Sequence, residues 1–164
     1  MKHIFRNLIR KFGYDIIPIN TNKMGENPLQ DMKRFLHSDH PVIFDVGANV
    51  GQSIDRFRAQ FPLSTIHSFE PSATTFETLF QKASKLRNVH LWNYALGSEL
   101  GQKKFLENFN SDMSSFLPLS EFGWGRITNE TFVEVKTIDQ FCLDEQIEYI
   151  DIQFVHQDRI DQSF

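Results

Sequence analysis

The chain has 164 residues, of which 40% are apolar and 23% are charged, and its formal net charge is −4. This composition is typical of a globular domain with a sizeable core and excludes a disordered chain. The acidic balance and the absence of a Lys/Arg stripe interleaved with aromatic residues argue against a nucleic-acid-binding module. No run of 18 apolar residues occurs, which excludes a transmembrane helix in this sequence, and we expect a cytoplasmic protein.

The first twelve residues are predicted to form a basic amphipathic helix. Four basic residues precede the first acid, Asp15, and apolar residues recur at helical spacing. The apolar residues form no uninterrupted run, so a secretory signal is not indicated. Two interpretations stay open: weak contact of residues 1–12 with an anionic membrane surface, or packing of this helix on its own domain. Residues 1–28 are therefore assigned as leader helix and connector.

From residue 29 onward, short apolar runs alternate with helical patterns. The predicted strands are 42–46, 65–69, 89–92 and 149–155, and the predicted helices are 30–36, 52–60, one running through 75–83 and 137–142. Pro71 is placed in the first turn of the third helix, whose buried side is predicted to carry Thr75, Phe76, Leu79, Phe80 and Ala83. The alternation predicts an α/β fold with a Rossmann-like, doubly wound, mostly parallel sheet of strand order 3-2-1-4.

Two further segments, residues 103–107 and 131–136, are predicted to pair as an antiparallel addition to this sheet. The stretch between them, residues 108–130, is rich in Ser, Asn, Gly and aromatic residues. A loop of this length in a compact domain is usually functional or mobile. The single Cys142 excludes an internal disulfide and has no Cys or His neighbours for a structural zinc, so we predict a packing role for it and no metal site.

The first predicted strand ends in Asp45 and is followed by a turn that contains Gly47, Asn49 and Gly51. The helix from Gln52 would then present its N-terminal amides to this loop, as in many nucleotide-like sites. The dinucleotide fingerprint is not met, because Asn49 and Gln52 stand where glycines would be required. This spacing argues against a nicotinamide-dependent oxidoreductase.

Glu70 follows the second predicted strand. An acid in this place can accept hydrogen bonds from both hydroxyls of a ribose, because the ends of neighbouring parallel strands open on one crevice. The alternative for Glu70 alone is an acid at a helix N-terminus, favoured by the helix dipole. Because Glu70 occurs together with Asp45 and the glycine loop, we favour its interpretation as a ligand-binding residue.

Five segments together resemble the successive motifs of the FkbM-type methyltransferases. They are residues 42–51, 69–71, 93–97, 114–115 and 135–139, and the resemblance covers roughly residues 42–152. It implies an enzyme of the Rossmann-like class that uses S-adenosyl-L-methionine, with O-methylation of a hydroxyl on a sugar or another natural product. The acceptor would be a small molecule or a glycan.

The resemblance also implies a cofactor site at the ends of three successive strands, and it assigns no catalytic residue. The cofactor-binding residues would be Asp45, Gly47, Asn49 and Gly51 around the methionine part, Glu70 at the ribose, and Asn93, Tyr94 and Ala95 at the adenine.

The sequence departs from the family pattern after Ile152. Members continue with a Lys-x-Asp-x-Glu/Gln-Gly segment, whereas residues 153–164 contain neither Lys nor Gly. Residues 29–152 are therefore assigned as the N-terminal part of a methyltransferase domain, apparently truncated, and residues 153–164 as a divergent tail. Asp158 does not take the missing role, and His156 is either a general base or a solvated histidine.

This departure has two further implications. The fourth strand would form an edge of the sheet, which makes self-association plausible. The departure also leaves an alternative function open, in which the chain is a truncated, non-catalytic remnant that binds the cofactor weakly or acts as a binding partner.

Overall fold

The computed structural model describes residues 24–25, 27–118 and 125–156. The predicted basic helix of residues 1–12 and the tail beyond His156 lie outside these ranges. In chain order the elements are α1 (Pro28–Phe35), β1 (Val42–Val46), α2 (Gln52–Gln60), β2 (Thr65–Phe69), α3 (Ala73–Ala83), β3 (Val89–Trp92), β4 (Ala95–Leu96), β5 (Gly101–Asn108), a 3-10 helix (Ser111–Met113), β6 (Ile127–Lys136), α4 (Ile138–Asp144) and β7 (Ile152–Val155).

Four parallel strands form the main sheet, in the order β3-β2-β1-β7. This confirms the predicted α/β class and the predicted 3-2-1-4 order, with β7 as the fourth strand. In the central strand β1, all residues after Val42 are buried, as expected for a parallel strand covered on both faces. Because the strands are parallel, the residues that follow β1, β2, β3 and β7 meet at one edge of the sheet.

Each face of the main sheet is covered by its own hydrophobic core. The core beneath α2 and α3 contains Ile43, Ile54 and Leu79, and apolar residues of α1 pack against it. The core on the other face contains Phe44 and Phe141, and it includes side chains from α4 and β4. Neighbouring residues of β1 thus point into opposite cores, as the two-residue period of a strand requires.

The remaining strands form a second sheet of order β4-β6-β5. Strands β5 and β6 are antiparallel, as predicted, with Gly101 opposite Val135. They do not extend the main sheet, which corrects the prediction. The two-residue strand β4 instead pairs in parallel with β6 and links the two sheets, since it begins shortly after β3 ends.

Three further predictions also need correction. Ser72 caps α3 by accepting a hydrogen bond from Thr75 N at 3.3 Å, so Pro71 precedes the helix and does not lie in its first turn. Phe80 is 48% exposed, because it lies about 100° around the helix from the buried Leu79. At the C-terminal side, β7 begins only at Ile152.

The predicted long loop of residues 108–130 is shorter than expected, because β6 already begins at Ile127. None of the helices that the structure describes is long and apolar enough to cross a lipid bilayer.

Candidate functional site

Polar side chains stand at the carboxyl ends of all four strands of the main sheet. Asp45 is the penultimate residue of β1, Glu70 follows β2, Asn93 follows β3 and His156 follows β7. Parallel α/β sheets place their ligands outside these strand ends. The fold therefore assembles the four residues, which are far apart in sequence, along one edge.

The loop between β1 and α2 has three residues with left-handed backbone conformation: Gly47 at φ 81°, Asn49 at φ 52° and Gly51 at φ 79°. Glycine and asparagine are the residue types that tolerate this conformation best. The loop is held against β2, because the N–H groups of Gly47 and Ala48 both donate to the Phe69 carbonyl at 2.9 Å. The predicted glycine loop is thus a closed turn at the strand ends.

Gly51 has a second role, in packing. A Cβ atom at this position would lie 2.9 Å from Leu79 Cδ1 and 3.2 Å from Ile54 Cδ1. Its carbonyl accepts a hydrogen bond of 2.8 Å from Lys82 Nζ of α3. A glycine at this position therefore lets α3 pack closely against the loop and the start of α2.

The carboxylate of Glu70 is fully buried and connects the glycine loop to the end of β2. Oε2 accepts a hydrogen bond from Asn49 N at 2.9 Å, and Oε1 accepts one from Ser72 N at 3.0 Å. Each carboxylate oxygen can accept a second hydrogen bond. Any contact between Glu70 and a ribose would require access to a group that is now covered.

The Asn49 side chain reaches the long loop that precedes β6. Its Nδ2 donates to Asp112 Oδ1 in the 3-10 helix, which fixes the orientation of the amide. Its Oδ1 is buried and has no hydrogen-bond partner among the residues that the structure describes. Sequence analysis missed Asp112, although it had identified the loop that carries this residue as functional or mobile.

Asp45 is fully buried and accepts hydrogen bonds from three neighbours. Its Oδ2 accepts from Ser53 Oγ at 2.5 Å and lies 3.4 Å from Ser68 Oγ, while its Oδ1 lies 3.3 Å from His156 Nε2. His156 is thus in contact with Asp45, while its side chain remains 38% exposed. The two serines were also missed, because single Ser residues carry no pattern.

Asn93, which follows β3, donates through Nδ2 to the carbonyls of Glu70 at 2.9 Å and Pro71 at 3.3 Å. The side chains of Tyr94 and Ala95 instead point into the protein and are buried. Burial raises the pKa of the Tyr94 phenol, and Glu145 adds to this effect. A ligand next to these two residues would meet mainly their backbone, whereas Asn93 offers a side chain.

Two cavities adjoin this strand edge. The larger, of about 550 Å³, is lined by residues of the glycine loop, α1, α2, the 3-10 helix and the end of β7, including Gly47, Asn49, Gln52, Ser53, Asp112 and His156. The smaller, of about 220 Å³, is lined by Pro71 and Asn93 together with residues of β5 and β6. Glu70 makes hydrogen bonds to Asn49, which lines the first cavity, and to Asn93, which lines the second.

Residues 45–153, from Asp45 in β1 to Gln153 in β7, match the family model of the Methyltransferase FkbM domain. The chain belongs to this family. The resemblance of the sequence motifs is thereby confirmed, and the match contains the glycine loop, Glu70, the whole second sheet and part of the main sheet.

Comparison with individual proteins gives more distant similarities. Over 128 residues the chain is 26% identical to the 2-O-methyltransferase NoeI of Sinorhizobium fredii, which covers 71% of this chain and 53% of that protein. The chain thus spans about half the length of this relative. The solved structure of methyltransferase FkbM from Methylobacillus flagellatus is similar with a TM-score of 0.42 and 14% identity, over 70% of this chain and 27% of the other.

Proposed function

We propose that this chain binds S-adenosyl-L-methionine and transfers its methyl group to a hydroxyl oxygen of a sugar or another natural product. Membership of the FkbM family supports the reaction class. The name of the relative NoeI, a 2-O-methyltransferase, supports oxygen as the acceptor atom. The eight predicted cofactor-binding residues remain part of this proposal.

The cofactor assignment rests mainly on Asn49 Oδ1, a buried hydrogen-bond acceptor without a partner among the described residues. Among the described residues no donor reaches its buried Oδ1, and the amide cannot simply reverse because Nδ2 is bound to Asp112. An unsatisfied buried acceptor costs about 1–3 kcal/mol. The α-ammonium of the cofactor's methionine part is a donor of the required kind, and it would remove this cost.

The start of α2 offers complementary groups in the same cavity. Gly51 is the N-cap and has no side chain, so no side-chain cap covers the first N–H groups of the helix. Gln52 and Ser53, in the first turn, line the cavity beside Asn49. Free N–H groups and the helix dipole favour an anion at this position, and the methionine carboxylate would fit there.

The rest of the cofactor would extend along the strand ends. Glu70 would accept hydrogen bonds from the ribose, and Asn93 would border the adenine beside the smaller cavity. When bound, the cofactor supplies a methyl group on a sulfonium. The chain's own residues would hold that group in line with the acceptor oxygen, and such positioning accounts for much of the rate enhancement in reactions of this type.

The cofactor assignment is tested by isothermal titration calorimetry of the full chain with S-adenosylhomocysteine. We expect saturable binding, and we expect Asn49→Ala to weaken it at least about tenfold, because a buried hydrogen bond to a charged group is worth about 1.5–3 kcal/mol. The matched control is Gln102→Ala, which removes an exposed amide on β5 outside both cavities. Absence of binding to the unsubstituted chain would contradict the proposal.

The transfer step needs a separate measurement. The full chain is incubated with S-adenosylmethionine labelled in the methyl group and with a panel of mono- and oligosaccharides, and label in the acceptor is counted after separation. We expect label on a hydroxyl oxygen of at least one acceptor. Binding of S-adenosylhomocysteine without transfer to any hydroxyl would favour the non-catalytic alternative instead.

A further inference from the structure

We propose that His156, held by Asp45, is the general base that removes the proton from the acceptor hydroxyl. This inference rests on the proposed methyl transfer and adds the catalytic residue that the family resemblance left unassigned. Its basis is the juxtaposition of an oriented imidazole and the glycine loop in one cavity.

The backbone positions His156 at the end of the sheet. Its N–H donates to the Val46 carbonyl at 3.1 Å, which continues the pairing of β7 with β1 by one residue. The ring packs edge-on against Phe154 with 5.0 Å between centroids. The imidazole therefore extends from a paired strand and has a defined direction toward β1.

Asp45 fixes the tautomer of this imidazole. Its Oδ1 lies 3.3 Å from His156 Nε2, and its Oδ2 accepts from the hydroxyl of Ser53. A carboxylate only accepts hydrogen bonds, so neutral His156 carries its proton on Nε2 and leaves the lone pair of Nδ1 available. A buried carboxylate that orients a histidine in this way is the arrangement that prepares imidazole for proton abstraction.

The ring is fixed on one side and accessible on the other. Its side chain is 38% exposed, whereas the side chain of Asp45 is not exposed at all. His156 lines the large cavity together with Gly47 and Asn49, where the methionine part of the cofactor is proposed to lie. An acceptor that enters this cavity would therefore meet both the imidazole and the methyl group.

The step is a simple displacement. The O–H proton of the acceptor passes to Nδ1 of His156, an oxygen electron pair forms the new C–O bond to the methyl carbon, and the C–S bond breaks with its pair on sulfur. The products are a methyl ether, S-adenosylhomocysteine and a protonated His156, which then releases its proton to water. Imidazole accepts a proton near neutral pH, so no other co-reactant is needed.

Charged groups from three elements surround this position. Besides Asp45 of β1, the cavity is lined by Arg56 of α2 and by Asp112 of the 3-10 helix. Asp45 lies 3.3 Å from the ring nitrogen Nε2, and Asp112 is already engaged with Asn49. A pH profile of methyl transfer would therefore report on His156 together with these three charged residues.

The tautomer gives a test that does not depend on activity. In ¹⁵N NMR spectra of the full chain, the His156 ring is assigned from the signals lost in His156→Gln, and we expect the Nε2–H form above neutral pH. In Asp45→Asn the Ser53 hydroxyl would keep the amide oxygen, so the amide nitrogen would face His156 and shift the ring to the Nδ1–H form. An equilibrium mixture of tautomers in the unsubstituted chain, as in a free histidine, would overturn the inference.

The kinetic test separates this inference from the proposed function. We expect His156→Gln to bind S-adenosylhomocysteine within about twofold of the unsubstituted chain, and to lower the single-turnover rate of methyl transfer by about 100-fold or more, the usual contribution of a general base. The rise of the rate with pH should disappear in this variant. The matched control His37→Gln replaces an exposed histidine outside the cavity.

If the unsubstituted chain fails to bind S-adenosylhomocysteine, the proposed function fails and this inference with it. If binding and transfer are present but His156→Gln transfers methyl groups as fast as the unsubstituted chain and with the same pH profile, only the role of His156 is overturned.

Discussion

The backbone N–H of Asn49 donates a hydrogen bond of 2.9 Å to Glu70 Oε2, so one buried carboxylate holds the loop after β1 against the end of β2. The other oxygen of Glu70 accepts from Ser72 N, which lies at the start of α3. The glutamate that sequence analysis assigned to a ribose therefore also has a structural role, and its substitution should affect folding as well as binding.

We expect Glu70→Ala to lower the free energy of unfolding by roughly 2–6 kcal/mol, because two buried N–H groups lose their acceptor at about 1–3 kcal/mol each. Glu70→Gln should cost less, since its amide still provides one acceptor oxygen. Urea denaturation followed by circular dichroism measures both. The control is Glu99→Ala at an exposed position, and an Ala variant no less stable than this control would contradict the role.

Gly51→Ala tests the close packing of α3 on the loop. The added Cβ would lie 2.9 Å from Leu79 Cδ1 at a residue with φ 79°, so both contact and backbone strain oppose it. Left-handed conformation costs about 1–2 kcal/mol for a residue with a side chain. Gly101 also has a positive φ, of 149°, but an added Cβ there would have no atom within 4 Å. Gly101→Ala therefore serves as the control without a clash.

In urea denaturation we expect Gly51→Ala to be the less stable of these two variants by at least about 1 kcal/mol, the usual lower bound for overpacking a core. Equal midpoints for the two variants would mean that Leu79 and Ile54 move aside at no cost.

The stability of the protein should depend on pH through the protonation of His67. Burial lowers its pKa from 6.5 to about 4, with a further contribution from His90, and Trp92 Nε1 donates to its Nδ1 at 3.3 Å. Because the unfolded chain takes up this proton more readily, the contribution of neutral His67 is complete above about pH 6.5 and decreases as the pH falls toward 4.

The expected loss is on the order of 2 kcal/mol, since one pKa unit corresponds to about 1.4 kcal/mol and part of the ring remains accessible. It is measured as the difference between unfolding free energies at about pH 7.5 and pH 4.5. His67→Phe removes the titrating group but keeps an aromatic ring among Phe44 and Phe141, so its stability should fall less over this interval. An equal fall in both proteins would assign the pH dependence to other groups.

Asp112→Ala tests whether the orientation of the Asn49 amide matters for binding. Without the Asp112 acceptor, Nδ2 and Oδ1 can exchange places, so the unpartnered oxygen would keep its present orientation for only part of the time. We expect affinity for S-adenosylhomocysteine to fall about three- to tenfold, a change of about 0.7–1.4 kcal/mol. Stability should change little, and Asp39→Ala at an exposed position outside the cavity is the control. Unchanged affinity would show that Asp112 does not orient the site.

Local sequence signals were sufficient for three of the four strands of the main sheet. The segments Val42–Val46, Thr65–Phe69 and Val89–Trp92 were predicted with their observed bounds, because each is a short run of β-forming residues ended by a polar residue, proline or glycine. The predicted bounds of the helix Gln52–Gln60 also match the structure, since a glycine precedes this helix and Phe61-Pro62 ends it. Strand β4 was not predicted, because a two-residue strand has no period to detect.

The pairs that build the candidate site could not be predicted in the same way. Asp45 and His156 are 111 positions apart, and Asn49 and Asp112 are 63 apart. Only the three-dimensional arrangement of β7 beside β1, and of the 3-10 helix over the loop, brings these residues together. A family motif could indicate Asp45 and Asn49 individually, but their partners lie in segments without such a motif or beyond the last one.

The position of β1 between β2 and β7 has a consequence for the order of events during synthesis. The ribosome adds about 5–20 residues per second, so β2 follows β1 within a few seconds, and these two strands can pair early. The other neighbour of β1 is made more than a hundred residues later, as the 109-residue separation of the bonded pair Val42 and Asp151 shows. Until then the nascent chain carries Asp45 without His156, so the loop proposed to hold the cofactor is made well before the residue proposed to use it.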